Sequence, residues 1–223
     1  MSNKRTKTNV QRTVVILVCV MVVFVGAAVS RILRSPAPEA PSVATVNSTA
    51  LQQQGAFIRP VPKVLEEFQL TGADGMPFTI DNFKGRWSLV FLGFTQCPDI
   101  CPTTMALFKQ LQARWQGSEL GHIQYVLLSA DPERDTPRKL REYLNFFSSD
   151  FVGVTGSVSA VAAFAKQLNG VFARVPQDNG DYLIDHSANI MIINPSGQFH
   201  GFVRPPHTVA QFEVVMRAVI SAD

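Results

Sequence analysis

The sequence predicts an α/β sandwich on a mixed central sheet, preceded by one N-terminal transmembrane helix. Three observations point there. Residues 13–30 are an apolar run without a charge. Residues 87–94 and 123–130 are continuous apolar runs rich in β-formers, separated by a stretch of helical periodicity. An antiparallel strand pair and an amphipathic helix close the chain.

Taken in order, residues 1–12 are a basic N-terminal segment and residues 13–30 the membrane anchor. At about 1.5 Å per residue the anchor reaches roughly 27 Å, enough for the hydrocarbon core of a bilayer. Lys4, Arg5, Lys7 and Arg12 precede it and Arg31 and Arg34 follow. The positive-inside bias therefore leaves the N-terminus cytoplasmic and exports the rest of the chain. A cleaved signal peptide is the alternative, with Gly26 and Ala28 as small residues before a cut; the length of the run and the arginines after it favour the retained anchor. No Arg-rich, Ser-rich transit peptide precedes it, which favours a bacterial inner membrane with the C-terminal domain in the periplasm. Cys19 lies inside the run as a small apolar residue. Residues 31–61, with Pro36, Pro38, Pro41 and Pro60, read as a proline-rich tether.

The exported domain, residues 62–223, opens with two short strands at 68–72 and 77–80 around an Ala73-Asp-Gly turn. The buried strand 87–94 leads past Pro102 into a helix with Leu107, Phe108, Leu111 and Trp115 on one face. A second buried strand, 123–130, follows, then helical stretches at 137–148 and 158–168. Strands are expected at 172–175, 189–193 and 198–203, the last two joined by Asn194-Pro-Ser-Gly. The closing helix runs through Val209, Phe212, Val215, Met216 and Val219. A right-handed crossover places the two buried strands side by side in parallel, with their C-terminal ends on the edge where such sheets carry their sites.

Composition excludes several classes. Six of the 20 basic side chains lie in the first 34 residues, leaving 14 basic against 17 acidic in the rest, a net of −3. Nucleic-acid binding needs a basic cluster on the folded domain, so no nucleic-acid partner is expected. Hydrophobic residues at 46 % exclude wholesale disorder, and three cysteines are too few for a disulfide-stapled scaffold.

Chemistry concentrates on Cys97-Pro-Asp-Ile-Cys-Pro after the first buried strand. If both belong to the helix start, Cys97 and Cys101 are i, i+4 neighbours about 5–6 Å apart at Cβ. The unpaired amides and dipole there stabilise thiolate. Three readings remain open on these residues: a stapling disulfide, a thiol–disulfide oxidoreductase, and a soft-metal site for copper or zinc. Of four histidines, His122 lies at the opposite strand edge, while His200 and His207 read as structural or solvated. His186, in Ile184-Asp-His-Ser, enters a central strand from the cysteine edge and is a candidate third ligand.

The segments Phe94-Thr-Gln-Cys-Pro-Asp-Ile-Cys-Pro, Ser129-Ala-Asp-Pro-Glu-Arg-Asp-Thr-Pro, Asp185-His-Ser and Asn194-Pro-Ser-Gly resemble the Sco (SenC-type) copper chaperones of cytochrome oxidase assembly. The likeness spans roughly residues 62–221. It implies a thioredoxin-like domain whose Cys97, Cys101 and His186 ligate copper, as Cu(I), Cu(II) or both. It also implies that Cys97 and Cys101 cycle to a disulfide, and that the client is cytochrome c oxidase subunit II, which receives copper at its dinuclear site. The alternative is an oxidoreductase that keeps the client's cysteines reduced. The chain departs from reductase-type thioredoxins in its three-residue cysteine spacing and in placing Asp185-His-Ser before the central strand. Asp131 is expected either to shape the site's charge from outside the ligand set or to cap the turn or helix ahead of Pro132, Asp185 to orient His186 or to cap its loop, and Asp99 to meet an incoming partner.

Overall fold

The computed structural model describes residues 21–22, 24–26, 48–178 and 180–222. Residues 21–22 and 24–26 are helical. Among the described residues no helix is long and apolar enough to cross a membrane. The expected cytoplasmic segment, and most of the expected anchor and of the tether as far as residue 47, lie outside the described residues.

The core is built on β4 (Ser88–Gly93), all six of whose residues are buried. An unbroken apolar run suits a strand covered on both faces, which is why this segment takes the centre of the sheet. β5 (Gln124–Ser129) pairs with it in parallel, from Ser88 opposite Gln124 to Gly93 opposite Ser129. β6 (Val152–Thr155) continues the parallel set, and the hairpin β2 (Leu70–Gly72) and β3 (Pro77–Phe78) closes that side antiparallel. On the other side β9 (Ile190–Ile193) runs antiparallel to β4, followed by β10 (Phe199–Val203) and β1 (Ala56–Lys63). The strand order is β1-β10-β9-β4-β5-β6-β2-β3. The expected mixed sheet and its central parallel pair are present.

The α-helices between residues 48 and 222 that the structure describes are α1 (Ser48–Gln53), α2 (Ile100–Trp115), α3 (Pro137–Asn145), α4 (Val158–Gln167) and α5 (Val209–Ile220). Three start on side-chain caps. Thr136 accepts from the Lys139 amide ahead of Pro137, Ser157 from the Ala160 amide, and Thr208 forms a capping box with Gln211. α2 and α5 are joined by the Trp115 indole, which donates to Glu213 Oε2 at 2.8 Å.

Three features depart from expectation. Residues 48–63, assigned mostly to the tether, form α1 and β1, with Leu51 and Ala56 buried. The fold therefore takes in chain before residue 62. Pro60 and Pro62 misled because proline usually interrupts strands; here β1 is an edge strand, where a missing N–H leaves the ladder intact on the paired side. β6 was unforeseen, being a four-residue strand with Gly153 inside it. Finally, β7 (Phe172–Pro176) pairs with an unforeseen β8 (Tyr182–His186) in a separate two-stranded sheet.

Candidate metal centre

β4 ends at Gly93 and the chain turns through residues 94–99 into α2. Asp99 is the N-cap, but its side chain makes no cap bond. One orphan amide of the first turn is instead satisfied by sulfur: the Cys101 N–H points to Cys97 Sγ at 3.4 Å. Pro102 sits in the same turn, where a missing N–H costs little.

The two sulfurs occupy unlike settings. Both are free thiols; Cys97 is half-buried and Cys101 fully buried. Burial pushes the Cys101 thiol well above the usual thiol range, the neighbouring Cys97 adds to this, and a backbone hydrogen bond from Phe94 opposes it. Room for the Cys101 sulfur comes from Gly93. A Cβ there would lie 2.9 Å from Cys101 Sγ and 2.8 Å from the Phe91 ring.

His186 closes β8, one strand position earlier than the loop in which it was expected. Its Nδ1 lies 3.1 Å from the Ser187 carbonyl oxygen, which can only accept, so Nδ1 carries the hydrogen. Nε2 is left as the acceptor, its lone pair facing the Cys101 thiol at 3.7 Å. The Phe91 and Phe94 rings meet the imidazole edge-on, each with centroids 5.8 Å away. Burial lowers the His186 pKa, against weaker opposition from the Ser187 hydrogen bond and Asp185, and so favours the neutral, ligating form.

One ligand atom each from Cys97, Cys101 and His186 lies within 4.8 Å of the others. A sulfur and an imidazole nitrogen sharing one ion at ordinary bond lengths sit about 3.8 Å apart in a trigonal arrangement, close to the 3.7 Å between Cys101 and His186. Two thiolates and a neutral imidazole form a soft donor set. The residues fit a single soft ion.

The other sequence candidates fall elsewhere. Asp99 is exposed, and its carbonyl oxygen accepts from Thr103. Asp185 is exposed on β8, opposite Ala173, and acts on His186 through charge. Asp131 is buried, but its carboxylate is taken up by Arg134 and by the Tyr182 hydroxyl at 2.9 Å. Its carboxylate is thus engaged by the β7–β8 hairpin and by its own turn, not by the three ligand atoms. His122 is exposed in the turn before β5, and His200 packs edge-on to Trp87. His207 holds the Ala188 carbonyl through Nε2 at 2.8 Å, steadying the loop after His186.

Residues 58–221 match the SCO1/SenC family. The chain belongs to that family. Among its relatives, a candidate copper-binding protein of Stutzerimonas stutzeri is 33 % identical over 183 residues, covering 82 % of this chain and 90 % of that protein. The crystal structure of Arabidopsis thaliana ScoI with copper bound superposes with a TM-score of 0.65 at 29 % identity, over 70 % of this chain and 98 % of that one. Yeast Sco1 with copper bound gives 0.62 at 30 % identity, over 71 % and 90 %. The thioredoxin-like α/β fold expected from the resemblance is therefore present in this SCO1/SenC chain.

Gly93, Arg134, Asp135 and Tyr182 escaped the sequence reading as site residues, while His207 has the structural role expected of it. Arg134 and Asp135 stood inside a quoted motif, and Gly93 inside a quoted strand, but the neighbours that give them meaning are distant in the chain. Tyr182 carried no local signal.

Proposed function

We propose that this protein is a membrane-anchored copper metallochaperone. Cys97 Sγ, Cys101 Sγ and His186 Nε2 hold one copper ion as cargo, and the cargo passes to the dinuclear copper site of cytochrome c oxidase subunit II. The observation that carries this reading is the convergence of two sulfurs and a tautomer-fixed imidazole within 4.8 Å. Support also comes from the copper-bound structures of the Arabidopsis and yeast relatives. In this reading residues 13–30 anchor the chain in the inner membrane and the domain faces the periplasm.

A second reading coexists with the first. The half-exposed Cys97 sulfur, receiving an amide at a helix start, also suits thiol exchange. Oxidising the pair to a disulfide would release two protons and two electrons to a client disulfide, which becomes a dithiol. The same oxidation removes both sulfur donors, so metal loading and redox state are coupled by chemistry.

Titration of the reduced full-length protein with Cu(I), followed by X-ray absorption, tests the chaperone reading. One ion per chain on two sulfurs and one nitrogen is expected, with the nitrogen lost in His186→Ala. Unchanged coordination and affinity in that variant would refute the three-ligand site.

A further inference from the structure

The strand that ends in His186 belongs to a hairpin outside the main sheet, and of the ten residues of β7 and β8 only Ile184 is buried. Something must hold this exposed arm if its last residue is to meet Cys101. Strand geometry identifies the face that matters. Side chains alternate, so Tyr182, Ile184 and His186 project to the same side of β8. Tyr182 and His186 are about 13 Å apart along the strand, close enough for a fixture at one to orient the other.

That fixture is the turn directly after β5. It is closed by the Arg134 and Asp135 amides, which donate to the Asp131 carbonyl oxygen at 3.1 and 2.9 Å. From one side of it, Arg134 pairs with Asp131 and donates to the Tyr182 carbonyl at 3.2 Å and to Asp181 Oδ1 at 3.1 Å. The Arg134 guanidinium lies 3.9 Å over the Tyr182 ring, whose hydroxyl donates to Asp131. Arg174 of β7 stacks on the same ring at 4.5 Å and pairs with Glu133 at 2.6 Å. From the other side, the fully buried Asp135 carboxylate accepts from the Thr95 hydroxyl at 2.6 Å, the Thr95 amide at 3.2 Å and the Ser129 hydroxyl at 2.8 Å. Thr95 lies two residues before Cys97.

One turn therefore grips both halves of the site. We propose that residues 131–135 are a bracket setting the separation between the cysteine pair and His186, with Asp131, Arg134 and Tyr182 as positioning residues for the third metal ligand. The bracket touches no ligand atom; it acts by fixing the hairpin against the cysteine loop. This rests on the metal-binding reading above, but it has a consequence in the metal-free protein as well.

The test uses the reduced full chain and Tyr182→Phe, which keeps the ring under Arg134 and removes only the hydroxyl bonded to Asp131. Without metal, amide exchange in β7 and β8 should quicken while exchange in β4 and β5 stays unchanged. With Cu(I) titrated against a competing chelator, affinity should fall about tenfold, at the low end for partners that orient a ligand. The decisive comparison is Tyr182→Phe placed in a His186→Ala background. There the hydroxyl should cost nothing further, because the ligand it positions is gone. Equal losses in both backgrounds would overturn the proposal, as would wild-type hairpin exchange in Tyr182→Phe. Arg134→Met should give a larger loss of the same pattern; if it fails to fold, the milder variant decides. Failure of the wild type to bind Cu(I) would refute the metal reading, and the hairpin exchange would still judge the bracket.

Discussion

Gly93→Ala adds one methyl where the two arms of the site converge. The Cβ would lie 2.8 Å from Phe91 Cε1, 2.9 Å from Cys101 Sγ and 3.1 Å from Leu127 Cδ1. Comfortable contacts between such atoms begin at about 3.5 Å, so each neighbour must withdraw by roughly half an ångström. None has solvent to retreat into, since Phe91, Cys101 and Leu127 are all buried. Overpacking of this kind costs about 1–3 kcal/mol. A stiffer unfolded chain returns about 0.4–1 kcal/mol, leaving a net loss of about 1.3 kcal/mol at the middle of both ranges. With a urea m-value of about 2 kcal/mol per molar, the unfolding midpoint should drop by about 0.6 M. The function should suffer more than the fold. The displaced sulfur is a proposed ligand, and the displaced Phe91 ring abuts His186. Cu(I) affinity should fall by about tenfold or more, within the range seen when supports of a metal ligand are removed. Urea unfolding and chelator competition on one preparation measure both. A variant with the wild-type midpoint and wild-type affinity would refute the argument that the missing Cβ makes room for the sulfur.

Other expectations follow from the same structure. Starting the chain at residue 64 removes the strand that covers β10, exposing a sheet edge and the surface under Leu51 and Ala56. Thermal unfolding should shift down by several degrees and light scattering should rise; an unchanged melt would return residues 48–63 to the tether. Burial lowers the His207 pKa, and among the described residues the buried Nδ1 has no hydrogen-bond partner to receive a second proton. Its contribution to stability is full above the ordinary histidine value of about 6.5 and is lost as pH falls toward the lowered one. His207→Gln, which keeps a donor for Ala188, should lose less stability than the wild type between pH 7.5 and 5. Asp135 is shifted the other way, upward and chiefly by burial, against hydrogen bonds from Thr95 and Ser129. Its contribution is full below about pH 3.9 and lost as pH rises through the raised value. The stability difference between wild type and Asp135→Asn should therefore shrink above about pH 4; a flat difference would refute the shift.

What could be read without coordinates depended on how local the signal was. β4 and β5 announced themselves because strands buried on both faces must be continuously apolar, and the helix between them carries its own periodicity. Cys97 and Cys101 were legible because their spacing and the helix start lie within a few residues. His186 was found by its motif, yet its strand was not, since β8 is mostly exposed and lacks apolar alternation. β1 was hidden by Pro60 and Pro62, which only knowledge of its edge position reconciles with a strand. Asp131 shows the limit most plainly. Its residue type and its place at a strand end suggest charge tuning or turn capping; one partner, Arg134, is three residues on, but the other, Tyr182, lies 51 residues away in the chain.

The unlike settings of the two sulfurs bear on how a cargo ion could be taken and released. A buried thiolate is costly unless an opposite charge accompanies it. Cys101, held protonated by burial, therefore gives up its proton chiefly in exchange for a cation or for a bond to Cys97. Both exchanges leave the buried sulfur without an isolated charge. Cys97 is different: it is half-exposed and already receives the Cys101 amide at the helix start. In the proposed site an incoming thiol or ligand would reach the half-exposed Cys97 before the buried Cys101. Exchange can then proceed one donor at a time, with the last bond in the proposed site belonging to the sulfur that water reaches least.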